Sequence, residues 1–314
     1  MFDLALVNLL PSQLCLLEIE TLNEAAGRIE AAYVLELEAA ETSNRLTMLA
    51  SEITLKDECQ QSDAFAQVLT QSLRDISGDG HFYVEVTNDD SSDDWIPAWR
   101  ASGYKRGQGI RSVEVLENNI GYIRIQSFFE LEPAYQHYRG AFDMVADTDA
   151  LILDLRDNHG GSSQTTWPVQ WTFLEPGTPT PMMMESRIKA AETREEPAVL
   201  WRRYGADRPL AILIDANTFS APEAVAYTLQ LQGRATIVGE PSGGGAHMLD
   251  EGERLSTGFT LYTPTTRPIS VATGENWEGK GVLPDIVVPS QSAREKAIEV
   301  LSQKIIHSEG SIGN

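Results

Sequence analysis

Ser220 stands between an apolar run, Leu210–Ile214, and an alanine-rich run, Ala221–Leu231, and its type and place suit two kinds of work. As a helix cap it would pair with Glu223, three residues on, in the capping-box pattern "SAPE". As a serine on a tight strand-to-helix turn it would stand exposed as a nucleophile, with the following backbone N–H groups placed to receive an oxyanion. On this window alone the cap is the simpler reading. The two roles can coexist, so the rest of the chain has to decide.

A hydroxyl is a poor nucleophile at neutral pH, so a neighbouring base must take its proton during attack. Histidine suits that task, because its ordinary pKa of about 6.5 leaves it neutral near pH 7. A carboxylate behind it fixes the tautomer and steadies the imidazolium. The chain has five histidines. His137 falls in a helical pattern and His307 in a polar tail, whereas His81, His159 and His247 fall in glycine-containing loops. By local pattern alone a loop histidine is a structural residue, and Glu278 in "NWEGKG", with Glu275 beside it, is an exposed loop carboxylate. Asp154 and Arg156 in "LDLRDN" read as a structural charge pair, and the methionines at 182–184 as packing. The glycines at 243–245 lack both the Lys-Ser/Thr of a phosphate loop and the spacing of a dinucleotide fingerprint. A metal site from His81, His159 and His247 has no supporting spacing, so neither metal nor cofactor is expected.

The elements that must carry these residues change character along the chain. Up to residue 76 the pattern is helical: "SDAFAQVLTQSLRDIS" has Ser62 as N-cap and Phe65, Val68, Leu69, Leu73 and Ile76 along one face. "FYVEV" alternates as a strand, "TNDDSSDDW" is a solvated acidic loop, and "SVEVLENNIGYIRIQ" is a hairpin turning at Asn118 and Asn119. Strand–helix alternation follows. "ALILDL" is a buried strand and "TTWPVQWTFL" a helix with Trp167, Trp171 and Leu174 on one face; residues 175–196 form an irregular insertion. After the Ser220 region come the strand "ATIVGE", the loop "PSGGGAH", a further hairpin and a helix from Ala293. The pattern predicts an α/β fold, a mostly parallel sheet flanked by helices. Right-handed crossovers bring "DNHGGSS" and "NTFSAP", both after strands, to one carboxyl edge, where α/β sheets build their sites.

A chain of 314 residues can bury one main domain with a smaller appendage, and 42% apolar residues argue against wholesale disorder. A net charge of -22 repels phosphate backbones and anionic lipid, so nucleic acid and membrane are not expected partners. Cys15 and Cys59 are too few for a disulfide framework and read as buried thiols of a reducing compartment, with a single bridge between them left open. The apolar start "MFDLALVNLLPSQLCLL" is interrupted by Asp3 and Pro11 and has no early basic residue, which fits neither a signal peptide nor a span. The expected location is cytoplasmic. Oligomeric state is not legible.

Four motifs in order, "GDGHFYV", "LILDLRDNHGG", "ANTFSAPEAVAYTLQLQGRATIVGEPSGGGAH" and "NWEGKGVLPDI", resemble the tail-specific (C-terminal processing) serine protease family over residues 62 to 286. That family includes the tricorn protease core and the interphotoreceptor retinoid-binding protein modules. The resemblance implies a crotonase/ClpP-like core over 77–306, after a helical subdomain at 1–76 and before a polar tail at 307–314. It implies Ser220 as nucleophile, His81 as base and Glu278 as the carboxylate that assists it. It also implies an oxyanion hole from the N–H of Ala221 and of Gly160 or Gly161. His247, Gly244 and Gly245, in the glycine-containing loop after Ser220, stay as candidate substrate contacts on their position, and His159 likewise. Two features depart from the Ser–Lys members: there is no lysine between Lys189 and Lys280, and the stretch from His81 to Val113 is too short for a PDZ domain. The chain therefore resembles the histidine-using branch without that domain. A peptide or protein substrate follows, with a non-catalytic binder of retinoid- or fatty-acid-like ligands as the alternative on the same scaffold.

Overall fold

The computed structural model describes residues 10–54, 58–60, 62–87, 95–193, 195–198 and 201–312. The acidic stretch at 88–94 and most of the apolar start lie outside them. Helices α1 (Pro11–Ala32), α2 (Glu36–Glu52) and α3 (Ser62–Ser77) come first, as the sequence predicts. They are followed by β1 (Tyr83–Val86), α4 (Trp95–Lys105), the pair β2 (Ile110–Leu116) and β3 (Ile120–Ile125), α5 (Leu131–Val145), β4 (Ala150–Asp154) and α6 (Ser163–Trp171). Then come β5 (Met182–Ser186), β6 (Glu192–Thr193), β7 (Leu210–Ile214), α7 (Ala221–Leu231) and β8 (Thr236–Gly239). The chain ends through β9 (Met248–Leu249), β10 (Glu253–Arg254), β11 (Phe259–Tyr262), β12 (Pro264–Ser270), β13 (Ile286–Val287) and α8 (Ala293–Ile312).

Two compact units result. The first takes in 1–94, 183–193 and 247–269, and the second 95–182, 194–246 and 270–314. The expected boundary at 76 thus falls inside the first unit, because β1 pairs with β11, far along the chain, and not with the large sheet. In this helical unit, Phe65, Leu69 and Leu73 of α3 pack with Ile29, Leu46, Phe82, Phe259 and Leu261. Val68, expected on that face, is 47% exposed, since residues 65, 66, 69, 70 and 73 already fill the buried side of α3. Cys15 and Cys59, read first as thiols with a bridge left open, form that bridge, which ties α1 to the segment before α3.

The second unit holds a six-stranded sheet in the order β13-β8-β7-β4-β3-β2, parallel throughout except for the β2–β3 pair. Asn118 and Asn119 turn that hairpin with φ of 58° and 52°, a left-handed conformation that asparagine tolerates. Side chains alternate across the strands. Ile123, Leu151, Leu153 and Ile212 pack against Phe142, Trp171 and Val225 on one face. Tyr122, Ile152, Ala211 and Leu213 pack against Ala293, Ala297 and Leu301 on the other. The helix α8 continues through 307–312, where a polar tail is expected, because a helix packed by its first turns propagates readily. The insertion at 175–196 is more ordered than its sequence suggests, since β5 and β6 join β12 and β9 in a four-stranded sheet, and the hairpin expected after 247 is the antiparallel pair β10–β11.

Candidate active site

Strand β7 ends at Ile214, and four residues then set the approach to α7. Asp215 Oδ1 accepts the N–H groups of Asn217 and Asp157, each at 3.1 Å. Thr218, fully buried, donates its hydroxyl to Leu155 O at 3.0 Å, and the Phe219 N–H donates to Asn158 O at 2.9 Å. Ser220 then adopts φ 69° and ψ -115°, and α7 begins at the next residue. A non-glycine residue in that region is strained and has to be held there by its surroundings. Much of the hold is Glu223. Its buried carboxylate accepts the Ser220 N–H at 2.6 Å, the Ser242 hydroxyl at 2.6 Å and the N–H groups of Gly244 and Gly245 at 2.7 and 2.9 Å. Burial pushes this carboxyl above its ordinary range, and the four donors act against that rise.

The loop "DNHGG" reaches the same place, so the two carboxyl-edge loops meet as the crossover argument requires. A Cβ on Gly160 would lie 3.2 Å from Ser220 Cβ and 3.6 Å from its Oγ. Gly160 donates its N–H to Asn158 Oδ1 at 3.0 Å. The amides of Gly161 and Ala221 have no hydrogen-bond partner among the described residues. Gly161 sits at φ 137° against Phe128, whose carbonyl oxygen would be 2.1 Å from a Cβ there. Only glycine fits. Glu278 Oε2 accepts the Ala246 N–H at 2.6 Å, and Trp277 Nε1 donates to Gly245 O at 2.8 Å. The loop at 242–246 thus ties the Ser220 elbow to Glu278. Glu275 is 67% exposed and lies 3.7 Å from Lys280, outside this network.

His81 and His247 belong to the helical unit. The His81 side chain is 9% exposed, its backbone N–H donates to Asp79 Oδ1 at 2.9 Å, and its Nδ1 is 3.6 Å from that oxygen. His247, expected as a substrate contact, is 2% exposed with Nδ1 2.6 Å from Asp79 Oδ2. The amides of Gly244 and Gly245, the other expected substrate contacts, are engaged by Glu223. His159 is exposed beside Asp157, and Arg156 chelates Asp154 as a structural pair. Asp79 and Ser242 are missed by the sequence reading. The spacing of Asp79 two before His81 was the available signal, and Glu223 was visible only as a cap.

The family model described as "Peptidase family S41" matches residues 119–288. A carboxy-terminal-processing protease of Bartonella bacilliformis is 31% identical over 193 residues, 55% of this chain and 39% of that protein. A carboxyl-terminal-processing protease of Synechocystis sp. is 32% identical over 128 residues, 40% of this chain and 28% of its own. The chain thus spans less than half the length of these relatives. Among solved structures, the photosystem II D1 C-terminal processing protease superposes with a TM-score of 0.56 at 14% identity, over 94% of this chain and 98% of that one. The tricorn protease superposes with a TM-score of 0.58 at 13% identity, over 93% of this chain and 37% of that one.

Proposed function

Because the chain belongs to peptidase family S41, we propose that it is a serine-type peptidase with Ser220 as nucleophile. The observation that carries the reading is the Ser220 elbow, with φ 69° at the mouth of α7 and Gly160 alongside. Ser220 Oγ attacks a peptide carbonyl while His81 takes its proton and later returns it to the leaving amine. Glu278 orients the imidazole. The oxyanion rests on the N–H groups of Ala221 and Gly161, the two amides without another partner among the described residues, helped by the positive end of α7. Gly160 drops out as an oxyanion donor because Asn158 engages its N–H. The sheet unit serves as a crotonase-like core in this reading. Substrates are peptides or proteins, and the acidic chain favours neutral or basic ones. The Cys15–Cys59 bridge supports an oxidising compartment over the expected cytoplasm, since disulfides are rare under cytosolic reduction.

The test is labelling by a fluorophosphonate probe together with cleavage of a diverse peptide library read by mass spectrometry. Wild type should label and cleave, and Ser220→Ala should do neither while staying folded. A folded wild type that neither labels nor cleaves would support the binding alternative instead.

A further inference from the structure

Asp79 and His247 have no part in the mechanism above, yet both are shut away from solvent in the helical unit, at 1% and 2% exposed. A buried carboxylate is costly unless its oxygens are satisfied, and here both are. Oδ2 receives His247 Nδ1 at 2.6 Å and the Tyr33 hydroxyl at 3.2 Å. Oδ1 receives the His81 N–H at 2.9 Å and faces its Nδ1 at 3.6 Å. The N–H of Asp79 in turn donates to Ser77 Oγ at 3.1 Å. Burial alone would raise this carboxyl, but its bonds to His247 and His81 hold it well below the usual range. Against an anion, His247 carries its proton on Nδ1.

We propose that Asp79 and His247 are positioning residues for His81. His247 and Tyr33 fix the carboxylate, the carboxylate fixes the backbone of the loop that carries His81, and its charge favours the His81 tautomer protonated on Nδ1. Nε2 is then left to accept a proton. The inference rests on the peptidase reading of Ser220 and His81.

The experiment compares kcat and KM of His247→Ala and His247→Asn on a peptide the wild type cleaves, with thermal unfolding of each. Asparagine keeps an N–H donor near the place of Nδ1. His247→Ala should lower kcat at least about tenfold, equivalent to about 1.4 kcal/mol of barrier, with KM held within about twofold. His247→Asn should recover most of the loss. A folded His247→Ala with wild-type kcat, or a folded His247→Asn no better than alanine, overturns the proposal. If His247→Ala does not fold, Tyr33→Phe takes its place, with a roughly threefold fall in kcat expected and no fall overturning the pair. Ser220→Ala separates the two ideas. Turnover that survives it defeats the peptidase reading, whereas turnover lost there but intact in His247→Ala defeats only the positioning pair. Proton NMR reads the pair without turnover: Ser220→Ala protein should show a resonance far downfield of the amides that Asp79→Asn lacks. Its absence from both overturns the pair.

Discussion

Four donors converge on the Glu223 carboxylate, so an amide at that position would turn an NH2 group toward an N–H or a hydroxyl. Glu223→Gln should cost about 1–3 kcal/mol and slacken the strained Ser220 turn. Urea unfolding and kcat measure the two effects, and an unchanged midpoint with unchanged kcat would refute both. Asp79 makes a prediction in pH. Its carboxyl is lower in the folded chain than the ordinary 3.8, so the stability it contributes is fully present above that value. It is lost as pH falls below about 3.9 toward the folded value. Wild-type Tm should therefore drop more between about pH 5 and pH 2.5 than the Tm of Asp79→Asn. Parallel curves would count against the linkage. Ser220 and Glu223 were legible in the sequence because a capping box is local. The Asp79–His247 pair was not, because its partners are separated by 168 positions and no short window contains both.

Among the elements, those with a strong period were readable. Strands β4 and β7 are unbroken apolar runs, buried at every position, and α3, α5 and α7 carry ordinary helical patterns. The strands β5, β6 and β9 were not readable: they span two to five residues, and their pairing depends on distant partners instead of their own composition. The loop between β4 and α6 is the element on which the oxyanion proposal leans. Gly161→Ala would press a Cβ into the Phe128 carbonyl at a φ that alanine avoids, so the loop must move. The expected result is a fall in kcat of at least about a hundredfold, as for loss of an oxyanion donor, with a folded sheet unit by circular dichroism. A Gly161→Ala variant with wild-type kcat would remove that loop from the reaction.

Across the whole chain, the charge of -22 was legible at once, whereas the weaving of two units from alternating segments was not, because crossover points carry no local signal. The Cys15–Cys59 bridge closes a separation of 44 residues, and by chain entropy its loss should cost about 4 kcal/mol. Thermal melts with and without reductant, and of a Cys15→Ser/Cys59→Ser variant, should show the drop; identical melts would mean that the bridge contributes no stability. The pairing of β1 has a consequence for how the protein is made. Tyr83 lies opposite Tyr262, and β11 is the strand that β1 pairs with. On a ribosome, the strand that follows His81 waits for about 180 further residues before its partner emerges, a costly long-range closure. A half-made chain lacks the partner of β1, so under the proposal that His81 is the base, its loop would stay unseated, and the chain harmless to its neighbours, until synthesis is nearly done.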